Sequence, residues 1–251
     1  MRLFVVCVCA LVFCRSAAAQ APGTFPPDSL INVKVIPRTT PVIQVVGIMR
    51  NFAFGLGVRC PFCHVGEEGM PLEQFDFAKD EKRTKLVARQ MMRMVEEINR
   101  RLDTLPHGSD HVHQSVEVTC ATCHRGVSLP LPLFQLMIDA ATAGRADSAI
   151  RLYRALRARY YGRDAYDFGE GSLNTAAFRL GRAKRFDDAF ALLRLNEDLF
   201  PGSTGMSVFR GNIQLMKGDT AAAAAEFREA IRRDSTNVEA RGRLRSIGRA
   251  P

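Results

Sequence analysis

Two pentapeptides dominate the sequence of this chain: Cys-Pro-Phe-Cys-His at residues 60–64 and Cys-Ala-Thr-Cys-His at residues 120–124. Each carries two thiols spaced to reach the two vinyl groups of one haem, followed directly by an imidazole that can bind the iron. The sequence therefore predicts two covalently bound haem c groups. We expect the haems to be held by Cys60, Cys63, Cys120 and Cys123, with His64 and His124 as axial iron ligands.

The N-terminus is typical of a secretory signal peptide. Met1 and Arg2 precede an apolar run over residues 3–14, and small residues follow at 17–19. The apolar run is too short to span a bilayer comfortably. The pattern predicts a signal peptide over residues 1–19 and export to the periplasm. Two alternatives stay open: a lipoprotein attached through Cys14, and an uncleaved anchor.

The cysteine count is consistent with the haem prediction. The chain has seven cysteines, and removal of the signal peptide leaves the four that belong to the two pentapeptides. Two disulfides or a four-cysteine zinc site are the alternatives. Neither alternative needs a histidine directly after the second cysteine in both places, so haem attachment is the preferred interpretation.

The composition is that of a globular chain with a basic surface. Hydrophobic residues make up 47% and charged residues 24% of the 251 positions, with a formal net charge of +9. Acidic residues alternate with the arginines, and no basic run interleaves with aromatic residues, so nucleic-acid binding is not expected. A basic surface favours acidic redox partners or anionic lipid head groups, and membrane association through a partner is expected.

Two predicted helices carry candidate sixth ligands for the irons. Apolar residues recur at helical spacing over residues 41–57, including Met49, and over residues 80–102, including Met91 and Met94. Methionine at the sixth position closes the iron to substrates and raises its potential. The alternatives are that these methionines only fill the core, or that a loop histidine ligates instead: His107, His111 or His113.

The C-terminal part of the sequence repeats. Residues 186–191 align with 220–225 at an offset of 34, the period of tetratricopeptide helix pairs. An earlier, degenerate unit extends over residues 133–160, and Gly144 begins its predicted turn. Because each helix pair has an apolar face that only a neighbour can bury, we expect about three stacked units.

Three segments in order, residues 56–65, 88–99 and 118–126, resemble the cytochrome subunit of photosynthetic reaction centres. The tetrahaem members of that family have two dihaem halves, with each haem parallel to a helix that provides a methionine ligand, and they re-reduce the photo-oxidised bacteriochlorophyll pair. The resemblance implies Met49 as ligand of the first haem and Met91 as ligand of the second. It also implies that His111 matches a histidine that ligates a haem of the other half.

The chain departs from those relatives, because it has two haem motifs where they have four and adds a helical-repeat domain. We therefore expect a mainly α protein with a signal peptide (1–19), an extended linker (20–40), a dihaem cytochrome c domain (41–133) and a tetratricopeptide-like domain (134–251). The expected function is electron transfer, not catalysis, with a reaction centre as one expected redox partner and the repeats binding a protein. The alternatives are a respiratory periplasmic carrier and a haem peroxidase or sensor with one five-coordinate iron.

Overall fold

The computed structural model describes residues 24–105 and 117–250, and the described chain is mainly α-helical, as predicted. Within those residues the only β pairing is an isolated bridge between Val65 and Asp76. The predicted signal peptide lies outside the described residues. The helices are α1 (Val42–Leu56), α2 (Arg83–Leu102), α3 (Cys120–His124), α4 (Leu133–Tyr160), α5 (Glu170–Arg182), α6 (Phe186–Leu199), α7 (Met206–Lys217), α8 (Thr220–Arg233) and α9 (Val238–Ser246).

The chain forms two compact units. In the described residues, the first comprises 24–51 and 59–105, and the second comprises 52–58 and 117–250. The second haem motif therefore lies in the same unit as the repeat helices. The domain boundary predicted at 133–134 stays a prediction.

The two helices predicted around the first motif are present. The helix predicted over 41–57 is α1, and the one predicted over 80–102 is α2, which begins at Arg83. Residues 80–82 precede α2, and the carboxylate of Asp80 binds the side chains of Lys85 and Arg89.

The second unit contains the predicted helical repeat. Both ends of α8 lie 34 residues after those of α6. The earlier unit is α4, whose helical backbone is broken at Gly144 and Arg145, where φ of Arg145 is 64°. Helical repeats are thus confirmed, whereas their assignment as tetratricopeptide repeats stays a prediction.

The same turn joins the helices of two successive pairs. Lys184 and Gly218, which are 34 residues apart, both have positive φ, of 60° and 90°. In each turn two backbone bonds close the preceding helix in a Schellman arrangement. These bonds are Lys184 N to Gly181 O (2.9 Å), Arg185 N to Leu180 O (2.9 Å), Gly218 N to Leu215 O (3.0 Å) and Asp219 N to Gln214 O (2.9 Å).

Two side chains at the start of α6 connect the second repeat to the first. Asp188 on α6 is 4% exposed, and its Oδ1 accepts a hydrogen bond from the backbone N of Ala146 at 2.8 Å, just after the break in α4. Arg185 pairs with the same carboxylate and donates to the carbonyl of Ala141. The break in α4 is therefore held by side chains of the next repeat.

Candidate haem sites

The first motif is a tight turn. Residues Cys60–Phe62 form a 3-10 turn with Pro61 at its start, and the backbone N atoms of Cys63 and His64 both donate to the carbonyl of Cys60. Cys60 is exposed and Cys63 is half-buried. Burial raises the pKa of the Cys63 thiol.

Side chains around the start of α2 hold this turn in place. Lys82 Nζ donates to the carbonyl of Pro61, and Thr84 Oγ1 donates to the carbonyl of Phe62. Two carbonyls between the paired cysteines are thereby satisfied by residues more than twenty positions along the chain.

His64 lies half-buried against an aromatic ring. Its imidazole packs edge-on against Phe77, with ring centroids 5.0 Å apart, and its Nδ1 is buried without a hydrogen bond of ordinary geometry. Burial and, to a smaller extent, the charge of Lys85 lower the pKa of His64 to about 4, and the nearby carbonyl of Phe77 opposes this shift in part. A neutral imidazole is the form that binds iron.

The loop that carries Phe77 is fixed by a buried lysine. Lys85 Nζ donates to the carbonyls of Phe77 (2.9 Å), Ala78 (3.1 Å) and Lys79 (2.6 Å) and lies 3.0 Å from Asp80 Oδ1. Arg89 pairs with the same carboxylate at 2.8 Å. The hydrogen bond from Arg89, together with Asn32 and Lys85, holds the pKa of Asp80 well below its usual range.

The second motif is a short capped helix. Thr119 and Thr122 form a reciprocal capping box at the start of α3. Arg125 and Gly126 follow with φ of 49° and 83° and end the helix. Here Cys120 is half-buried and Cys123 is exposed, the reverse of the order in the first motif.

His124 is oriented by the main chain. It is buried, and its Nδ1 lies 2.9 Å from the carbonyl of Val127. A carbonyl accepts a hydrogen bond, so this contact fixes the tautomer with the proton on Nδ1 and leaves Nε2 as the free lone pair. This is the arrangement that an axial histidine ligand requires.

The end of α1 lies against the second motif. Gly126 N donates to the carbonyl of Gly55 at 2.9 Å. A Cβ on Gly55 would lie 3.1 Å from Ala121 N, and a Cβ on Gly57 would lie 2.0 Å from the Gly126 carbonyl oxygen. Gly57, at φ 64°, ends α1. Gly55 lies inside α1, and its lack of a side chain permits the close approach to α3.

The predicted sixth ligands stay predictions. Met49 is half-buried on α1, in the same compact unit as the first motif. Met91 is half-buried on α2 and Met94 is 45% exposed there. His111, like His107 and His113, lies outside the described residues.

The described residues fit a covalently bound haem by their donor set and surfaces. Both pairs of cysteines are free thiols, and no group of three or more potential metal-binding side chains occurs in the described ranges. Large apolar side chains are exposed on α1 and α2, which provides the apolar surface against which a macrocycle packs. They include Phe54 (82% exposed), Leu86, Val87 and Met94.

The model of the family described as photosynthetic reaction centre cytochrome C subunit matches residues 60–150, from the first cysteine of the first motif to the middle of α4. This segment is similar to that family. Both Cys-x-x-Cys-His motifs lie inside the match, whereas α1 with Met49 precedes it. The match confirms the resemblance that the sequence shows. It indicates a cytochrome c electron carrier. No curated protein and no solved structure matches the chain.

Sequence reasoning missed the side chains that position the first histidine: Phe77, Asp80, Lys82, Thr84 and Lys85. Their contacts reach carbonyl oxygens and a ring, which leave no pattern in the sequence. Among the described helices, none is long and apolar enough to cross a membrane.

Proposed function

We propose that the protein is an exported dihaem c-type cytochrome that passes electrons to a docked protein in the periplasm. The observation that carries this proposal is the family match over a segment that contains both Cys-x-x-Cys-His motifs. When bound, each haem supplies one-electron redox chemistry at its iron.

The chain's own residues bind and orient the two groups. Cys60 and Cys63 hold one haem, and Cys120 and Cys123 hold the other. His64 and His124 provide an imidazole from the same side, His124 through the nitrogen that its contact with Val127 leaves free. Covalent attachment keeps the group in place in either oxidation state.

We propose methionine at the sixth positions, Met49 for the first haem and Met91 for the second, with Met94 and His111 as alternatives for the second. The amphipathic helices that carry the methionines support this assignment, because both expose apolar surface. An iron with two strong-field side chains exchanges electrons without binding substrate.

The proposed electron acceptor is a photosynthetic reaction centre, because the matching family is that of the reaction-centre cytochrome subunit. The protein would re-reduce the photo-oxidised pigment pair and would meet the membrane through this partner. Flash oxidation of isolated reaction centres in the presence of the reduced protein tests the assignment. Haem oxidation following each flash supports it, whereas oxidation only by respiratory membranes would identify a respiratory carrier.

The number of haems is tested by replacing the cysteines pairwise. We expect a Cys60→Ala, Cys63→Ala variant and a Cys120→Ala, Cys123→Ala variant each to lose one covalently bound haem. Peptide mass spectrometry after protease digestion gives the count for each motif. A wild-type protein with fewer than two haem-carrying peptides would contradict the proposal.

The sixth ligand is tested by the absorption spectrum of the oxidised protein. We expect a weak charge-transfer band at the red end, from methionine bound to ferric iron, and its reduction in Met49→Ala. Met91→Ala and Met94→Ala, measured separately, show which of these two methionines binds the second iron. A high-spin spectrum that shifts on addition of cyanide or peroxide would instead indicate the peroxidase or sensor alternative.

A further inference from the structure

A cavity of about 320 Å³ lies between α4 and α6 in the second compact unit, remote in sequence from both haem motifs. This volume is at the lower end of the range for ligand sites. Two arginines, a tyrosine and an acidic residue provide its polar lining. The lining residues are Tyr153, Arg154, Arg157, Ala158, Leu195, Asp198 and Leu199.

Two polar atoms at this cavity are buried without a hydrogen bond of ordinary geometry. They are the hydroxyl of Tyr153, a residue that is 1% exposed, and the Nε of Arg157. Burial raises the pKa of Tyr153, although the charge of Arg157 and a contact of its guanidinium with the hydroxyl oppose the change in part, so the hydroxyl stays protonated and can donate. Unpaired buried donors are costly, and a ligand that accepts from both would remove this cost.

One of the two arginines has a restricted orientation, and within the described residues neither is neutralised by an ion pair. The guanidinium of Arg157 stacks over the ring of Tyr161 at 4.1 Å, which restricts its orientation. In the part of the chain that the structure describes, neither Arg154 nor Arg157 forms an ion pair. With Asp198 included, the polar lining carries a net charge of +1, which matches a singly charged carboxylate better than a doubly charged phosphate.

The surroundings indicate that the carboxylate belongs to a protein. All four tyrosines of the chain lie within residues 153–166. Arg159, which directly follows the lining residue Ala158 in the sequence, stacks on Tyr160 at 5.1 Å. Tyrosine and arginine are the residues enriched at the energetically dominant positions of protein interfaces.

We propose that the cavity between α4 and α6 binds a carboxylate of a protein partner through Arg154, Arg157 and the hydroxyl of Tyr153. The site deepens, and rests on, the expectation from the sequence that the repeats bind a protein. The carboxylate is that of an acidic side chain or a chain terminus.

Calorimetric titration of the full haem-loaded chain tests the site with three acetylated tripeptides. The first, acetyl-Gly-Glu-Gly-amide, has a side-chain carboxylate, and the second, acetyl-Gly-Gln-Gly-amide, has no carboxylate. The third, acetyl-Gly-Gly-Gly, has only the carboxylate of its free C-terminus. We expect saturable binding of the first or third and none of the second. The stronger of the two carboxylate peptides identifies the source. Equal binding of the glutamine peptide, or tighter binding of inorganic phosphate, overturns the proposal.

Three single substitutions test whether the carboxylate binds at this cavity. We expect Arg157→Gln to raise Kd about tenfold, Arg154→Gln about tenfold and Tyr153→Phe about threefold, from the loss of charge-assisted and neutral hydrogen bonds. Arg151→Gln is the matched control, since it removes the same charge from an exposed position of α4 that does not line the cavity. Arg154 is also exposed, so its variant should keep the fold, which circular dichroism checks. A loss as large in Arg151→Gln overturns the proposal.

The outcome is independent of electron transfer. Peptide binding without redox cycling would refute the carrier function and leave the site intact. Redox cycling without peptide binding would refute the site alone.

Discussion

The two haem motifs share a sequence pattern but are held by different means. The first is a 3-10 turn whose carbonyls accept hydrogen bonds from side chains near the start of α2. The second is a capped helix, packed through glycine contacts on the end of α1. His64 is positioned by a ring contact, whereas His124 is positioned by a backbone carbonyl three residues along.

This difference shows that Cys-x-x-Cys-His specifies the attachment chemistry and leaves the orientation of the histidine to its surroundings. Side chains distant in sequence determine that orientation in the first motif. Local backbone and close helix packing determine it in the second. The two sites should therefore respond to different kinds of substitution.

The largest effect is expected from Gly57→Ala. Gly57 has φ of 64°, and an added Cβ would lie 2.0 Å from the Gly126 carbonyl oxygen. The left-handed backbone and the overlap together should lower the free energy of unfolding by about 3 kcal/mol. Urea unfolding measures this change, and peptide mass spectrometry should find less haem on the second motif than on the first.

Gly69→Ala provides the control for Gly57→Ala. Gly69 also has positive φ, of 86°, but nothing lies within 4 Å of an added Cβ. We expect a loss of about 1 kcal/mol, from backbone strain alone. Equal losses in the two variants would contradict the close packing of α1 on the second motif.

A smaller effect is expected from Lys85→Met, and it should fall on the first motif. The change leaves three backbone carbonyls without their donor, so the loop that carries Phe77 should loosen and the free energy of unfolding should fall by about 2 kcal/mol. Haem occupancy of the first motif should fall and that of the second should not, as measured by mass spectrometry of the two peptides.

Lys79→Met is the matched control for Lys85→Met, because the side chain of Lys79 is exposed and makes only surface ion pairs. It should be within about 0.5 kcal/mol of wild type. Should both haem sites lose occupancy equally in Lys85→Met, the separate support of the two motifs would be wrong.

The smallest effect is expected from Thr119→Ala, which removes the cap of α3. Loss of an N-cap threonine costs about 1 kcal/mol. Arg59 occupies the same position before the first motif and makes no side-chain cap. Arg59→Ala should therefore leave the free energy of unfolding nearly unchanged. Urea unfolding compares the two, and a similar loss in both would mean that the cap does not distinguish the motifs.

Local signals explain which parts of the structure could be predicted. Apolar spacing predicted α1 and α2 to within a few residues. The 34-residue offset predicted that α8 repeats α6 at that interval. The break in α4 at Gly144 was also predicted. Each of these signals lies within one or two helical turns, or repeats at a constant interval.

Contacts to backbone carbonyls could not be predicted in this way. Every residue has a carbonyl, so the acceptors of Lys85 and His124 leave no mark in the sequence. Gly55 shows a related limit of local signals: glycine near a helix end is typical of a cap, and only the position of α3 shows that close approach requires it.

The sequence by itself determined the paired thiols, the adjacent imidazoles and the helical repeat, because these depend on covalent spacing and on residue periodicity. Only the tertiary structure decided how His64 is oriented, which glycine permits close packing, and where α4 and α6 enclose a cavity. Those features depend on residues that are distant along the chain and are brought together by packing.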